Sequence, residues 1–66
     1  MGELHPAVVE VLRFFEYDHL PPHLQVISKP FHDLAHDIVL RVEGVQLREG
    51  LQRLLEAKDC MVRAAL

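Results

Sequence analysis

A chain of 66 residues with ten acids, seven bases and a formal net charge of −3 makes one domain at most, spanning 1–66. It has no global positive field to attract a nucleic-acid polymer. So small a fold buries only about 60% of the surface that its unfolded chain exposes, and the single cysteine, Cys60, excludes an internal disulfide framework that would compensate.

Nowhere does the chain reach the roughly 18 consecutive apolar residues of a membrane span. One thiol and no apolar leader at the start fit a reducing, cytosolic compartment. Half of the residues are hydrophobic, rich for this length, which favours helices that bury their excess apolar surface against another subunit.

Pro6 is a helix opener, and Val8, Val11, Leu12 and Phe15 then fall on one face, which predicts a short helix over 6–16. Leu20-Pro21-Pro22 stops it, and Pro22 can be the first residue of the next helix. From there Leu24, Ile27, Phe31, Leu34, Ile38 and Val42 keep helical phase across Pro30, predicting one element over 22–42 despite the lost backbone hydrogen bond. Gly44 reads as its left-handed C-terminal cap. A last helix is predicted over 46–65, with Leu47, Leu51, Leu54, Leu55, Met61, Val62 and Ala65 on one face; Gly50 costs it roughly 1 kcal/mol relative to alanine. The fold class expected is all-α: a short N-terminal helix, a Pro-rich turn and an antiparallel two-helix hairpin that assembles into a helical homo-oligomer.

Chemistry-bearing residues concentrate in two places. In "FFEYDHLPPHL" (14–24), Tyr17 lies between a helix end and a rigid turn; its ring either stacks on a nucleobase or covers the end of the hairpin. Phe14 and Phe15 read as core or subunit contacts. In "HDLAH" (32–36), His32 and His36 share a helix face at the i,i+4 spacing that zinc sites use, although spacing supplies no third ligand. Lys29, His32 and His36 occupy one flank beside the apolar stripe, where they either stay solvated or contact phosphate oxygens and purine edges.

Arg48, Arg53, Lys58 and Arg63 spiral around the last helix and form no nucleic-acid stripe. Lys58 falls inside its apolar face, so either its alkyl stem packs with the ammonium free or the ammonium points into a shared cavity and is neutralised by an anion. Cys60 has no activating motif. No P-loop, Gly-rich dinucleotide loop or paired-carboxylate motif is present, so neither enzyme activity nor a cofactor is expected.

The segments "FEYDHLPP" (15–22), "FHDLAHDIV" (31–39) and "LQRLLEAKDCMVRAAL" (51–66), in this order, resemble the hairpin domain of phage nucleotide sponges. These are small anti-CBASS and anti-Thoeris proteins that bind cyclic oligonucleotides or cyclic ADP-ribose-type signals and withhold them from host immune effectors. The resemblance covers most of the chain and implies a non-enzymatic homo-oligomer, commonly a hexamer, acting in the host cell cytoplasm with ligands between subunits. It carries the base-stacking aromatic onto Tyr17 and, approximately, the ligand-contacting cation onto Lys29; the mechanism expected is stacking on Tyr17 with phosphate contacts from Lys29, helped by His32 or His36. It also suggests a second pocket around the last helix, with Arg48 and Arg53 as candidates. The turn through Asp18-His19-Leu20 is longer than the family's, and Pro30 is a further departure. Two alternatives stand beside this reading: a helical module that binds a host or phage protein, and a metal-dependent hydrolase built on His32 and His36.

Overall fold

Helix α1 (Pro6–Arg13) begins as the sequence implies, with Pro6 in the first turn, but its cap is a histidine. Nδ1 of His5 accepts a hydrogen bond from the Ala7 N–H at 3.0 Å, satisfying one of the free donors at the helix start. The computed structural model describes residues 4–66, and among these it is all-helical, with α2 (Pro22–Ile38) and α3 (Val45–Ala64) completing the element order.

α1 is shorter than the predicted 6–16. Phe14 and Phe15 donate to the carbonyls of Val11 and Leu12, both at 3.1 Å, so the last turn tightens to i→i−3 bonding. That tightening swings Phe15 inward until none of it is exposed, while Phe14 remains 58% exposed. The two phenylalanines therefore separate into one core residue and one surface residue.

α2 starts at Pro22, as expected, and passes through Pro30 as one helix. It ends at Ile38 rather than 42. Leu40 and Arg41 donate to Asp37 and Ile38 at 3.1 and 2.9 Å in a tightened turn, which lets Val39 stay in the core and leaves Val42 exposed.

Gly44 has positive φ, 110°, but it precedes α3 as its N-cap instead of closing α2. With α2 already ended, the left-handed residue is needed where the chain turns into the next helix. α3 matches its predicted bounds within one residue at each end.

The core is one cluster: Val8, Val11, Leu12 and Phe15 meet Ala35 of α2, Val39 just after it, and Leu47 and Leu51 of α3, with Phe31, Ile38, Leu54 and Leu55 around it. α3 packs on both other helices, most extensively on α2. The buried face of α2 differs from the expected stripe. Its centre runs through Leu24, Ser28, Ala35 and Val39, while Leu34 is 46% exposed; at 100° per residue this is a rotation of roughly 60–80°. Ser28 and Ala35, both small, are fully buried on this face, and the larger Phe31 and Ile38 are partly buried against the cluster.

On α3, Met61 is likewise exposed rather than in the apolar face. α1 spans only about 12 Å against about 30 Å for α3, too short to cover α3 along its whole length. Ser28 is the exception within the core: it is fully buried and its Oγ has no hydrogen-bond partner.

Candidate functional site

The rotation of α2 determines how the site is assembled, because it moves His32 to the border of the buried face. From the α1–α2 connection comes Tyr17, whose carbonyl accepts from the Leu20 N–H at 3.0 Å. Gln25 of α2 donates from Nε2 to the Leu20 carbonyl at 2.8 Å, which ties this connection to the first turns of α2. Tyr17 is thereby held edge-on to His32, with ring centroids 5.0 Å apart and planes at 78°. His32 and His36 continue the row at 4.3 Å with a tilt of 39°. Three rings thus line up on one surface, a geometry favoured by the quadrupoles of edge-to-face and offset aromatic pairs.

Asp33 connects this row to Lys29. Its Oδ2 lies 2.6 Å from Lys29 Nζ and its Oδ1 lies 3.0 Å from His32 Nδ1. The hydrogen bond from Lys29, followed by that from His32, holds the Asp33 carboxyl below its ordinary range. The same Asp33 hydrogen bond and charge raise the Lys29 ammonium above its ordinary value, with a smaller contribution from Tyr17. Lys29 and Asp33 are about half exposed, so this pair sits in solvent and is screened by salt.

Next to the rings is a shallow hollow of about 350 Å³ lined by Glu16, Tyr17, Asp18 and His32. Two carboxylates in so small a depression favour cations and repel phosphate. An anion would therefore sit on the Lys29 side of the ring row, where it competes with Asp33 for the ammonium.

Tyr17, Lys29, His32 and His36 are brought together, but Arg48 and Arg53 are not. Arg48 lies at the opposite end of the described chain, on an open groove of about 1030 Å³ between the start of α1 and the α2–α3 connection, floored by Val8, Val39 and Leu47. Arg53 is held between Glu49 at 2.8 Å and Glu56 at 3.3 Å on the outside of α3. Among the described residues, Arg53 does not line the groove on which Arg48 lies. The Lys58 side chain is only 12% exposed, and its Nζ is not free but reaches Asp59 Oδ1 at 3.0 Å. Cys60 is exposed, with Arg63 Nη2 3.5 Å from its sulfur.

Among the described residues no group of three or more His, Cys, Asp or Glu side chains is placed to hold a metal ion. Comparison of the chain with protein-family models, with curated proteins and with solved structures gave no match.

Sequence reading missed the bridging role of Asp33, although Lys29 and Asp33 stand at i,i+4, where opposite charges on a helix meet. It also missed Glu16 and Asp18 in the hollow. No local spacing gives that placement, because the fold of the α1–α2 connection sets it.

Proposed function

We propose that this protein is a non-enzymatic sponge that binds a cyclic oligonucleotide or cyclic ADP-ribose-type signal and withholds it from a host immune effector in the cell cytoplasm. In this reading α2 and α3 form an antiparallel hairpin, copies associate into a homo-oligomer, a hexamer by the family resemblance, and ligand lies between subunits. The observation that carries it is the meeting of Tyr17 with His32. Residues separated by a helix boundary and two prolines come within 5.0 Å, beside a lysine whose partner is solvent-accessible. A planar base can extend such a row of rings, and stacking of this kind contributes about 1–3 kcal/mol per base. A phosphate would displace Asp33 from Lys29, exchanging one charge-assisted hydrogen bond for another.

Calorimetry of chelator-treated protein against a panel of cyclic di- and trinucleotides and cyclic ADP-ribose tests the reading. Binding should weaken roughly 5- to 150-fold in Tyr17→Ala, the loss of one stacked base, and weaken further with Lys29→Ala, while the oligomer persists. Ligand recovered after heat denaturation should be intact; cleaved nucleotide would overturn the non-enzymatic assignment.

Exposed Phe14, Val26, Leu34 and Met61 favour a second reading, a module that docks another protein through apolar contacts. Under that reading Tyr17→Ala and Lys29→Ala leave small-molecule binding absent in parent and variant alike.

A further inference from the structure

We infer that His32 and His36 form a two-imidazole chelate for a late divalent transition ion, Cu²⁺ first and Ni²⁺ or Zn²⁺ after it, with the remaining coordination positions filled by water. The rings are one helical turn apart on α2, with centroids 4.3 Å apart. Imidazole nitrogens bound to one ion at about 2.0–2.1 Å stand about 2.9–3.4 Å from each other, so rings already in contact need only small side-chain rotations to share it.

Three features prepare the pair. The Asp33 carboxylate, 3.0 Å from His32 Nδ1, accepts a hydrogen bond from the N–H of the tautomer protonated at that nitrogen, which leaves Nε2 free as a ligand, the carboxylate–histidine arrangement of metal centres. Asp33 is itself fixed by Lys29 at 2.6 Å, which also offsets the lysine charge that would oppose a cation. Tyr17, edge-on to His32 at 5.0 Å, limits rotation of that ring. Glu16 and Asp18 in the adjoining hollow make the local potential favourable to positive charge.

Two protein ligands do not make a closed structural zinc site, which takes four. They make an open, exchangeable site whose preference follows the order of stability for nitrogen ligands, in which Cu²⁺ exceeds Ni²⁺ and Zn²⁺. The inference does not depend on the nucleotide reading: metal is titrated into the chain alone, and nucleotide into chelator-treated protein, so either can fail without the other.

Isothermal titration of the metal-free chain with CuCl₂, NiCl₂ and ZnCl₂, each separately, should find one ion per chain, with Cu²⁺ tightest. His32→Gln and His36→Gln should each weaken it tenfold or more while circular dichroism remains that of the parent. Asp33→Asn, acting through the orientation of His32, should weaken it about tenfold, the lower end of the usual effect of such partners, and His19→Gln should change nothing. Melting temperature should rise with added metal in the parent and not in His36→Gln, since only binding to the folded chain stabilises it. Affinity unchanged in His36→Gln, or no saturable binding of any of the three ions, would overturn the chelate.

Discussion

Replacing Ser28 by alanine should make this protein more stable. Ser28 is fully buried on the inner face of α2 and its hydroxyl has no partner. Leaving a buried hydroxyl unsatisfied costs about 1–3 kcal/mol, and alanine exceeds serine in helix propensity by a few tenths of a kcal/mol. Against this, deleting one oxygen opens a void of roughly 20 Å³, which at about 24 cal/mol per Å³ costs about 0.5 kcal/mol. The balance is a gain of about 1–3 kcal/mol, each 1 kcal/mol being equivalent to a rise of about 4–8 °C in Tm for a chain of this size. Urea unfolding at matched protein concentration measures it, the concentration being fixed because association adds to apparent stability. Ser28→Val, which adds volume at a fully buried position, should be destabilising by about 1–3 kcal/mol. A loss of stability in Ser28→Ala would refute the reasoning, since it would mean that the hydroxyl is bonded in solution.

Phe15→Ala should cost about 3–5 kcal/mol and, in so small a domain, largely unfold it, whereas Phe14→Ala should change urea stability of the isolated chain by less than about 0.5 kcal/mol. Gly44→Ala should destabilise by about 1–2 kcal/mol because φ is +110° and nothing within 4 Å would clash with the new methyl, which makes the cost one of backbone conformation. Gly50→Ala, within α3 and equally unobstructed, should stabilise by about 0.8–1 kcal/mol; thermal melts of the pair should therefore move in opposite directions. Asp33 is depressed below its ordinary value of 3.8, so its contribution is present above that value and is lost as pH falls through the depressed one. Lys29, raised above 10.5, contributes fully below that value and loses its contribution as pH rises through the raised one. Urea midpoints of the parent should thus decline more than those of Asp33→Asn below about pH 4, and the difference should shrink in high salt.

The helices were legible because their signals are local. Pro6 marks the start of α1 and Pro21-Pro22 that of α2, and the apolar spacing carries α2 across Pro30. What escaped the sequence depended on contacts between helices. Periodicity weighted Leu34 and Val42 as core because they are large, yet the packed face chose the small Ser28 and Ala35. The same choice moved His32 to the edge of the core and within reach of Tyr17. The shared flank of Lys29, His32 and His36 follows from 100° per residue and was legible; the arrival of Tyr17 beside it was not, since it depends on the i→i−3 turn after α1 and on Gln25 holding the Leu20 carbonyl.

The central claim, that the Tyr17–His32 surface captures a cyclic nucleotide signal and keeps it intact, is tested most directly by native mass spectrometry of the chelator-treated protein incubated with a cyclic nucleotide library. The account predicts a homo-oligomer carrying an unmodified cyclic nucleotide, with that mass lost in Tyr17→Ala while the oligomer remains. An oligomer or monomer that retains no nucleotide from the library, or one that retains it equally in Tyr17→Ala, would contradict it.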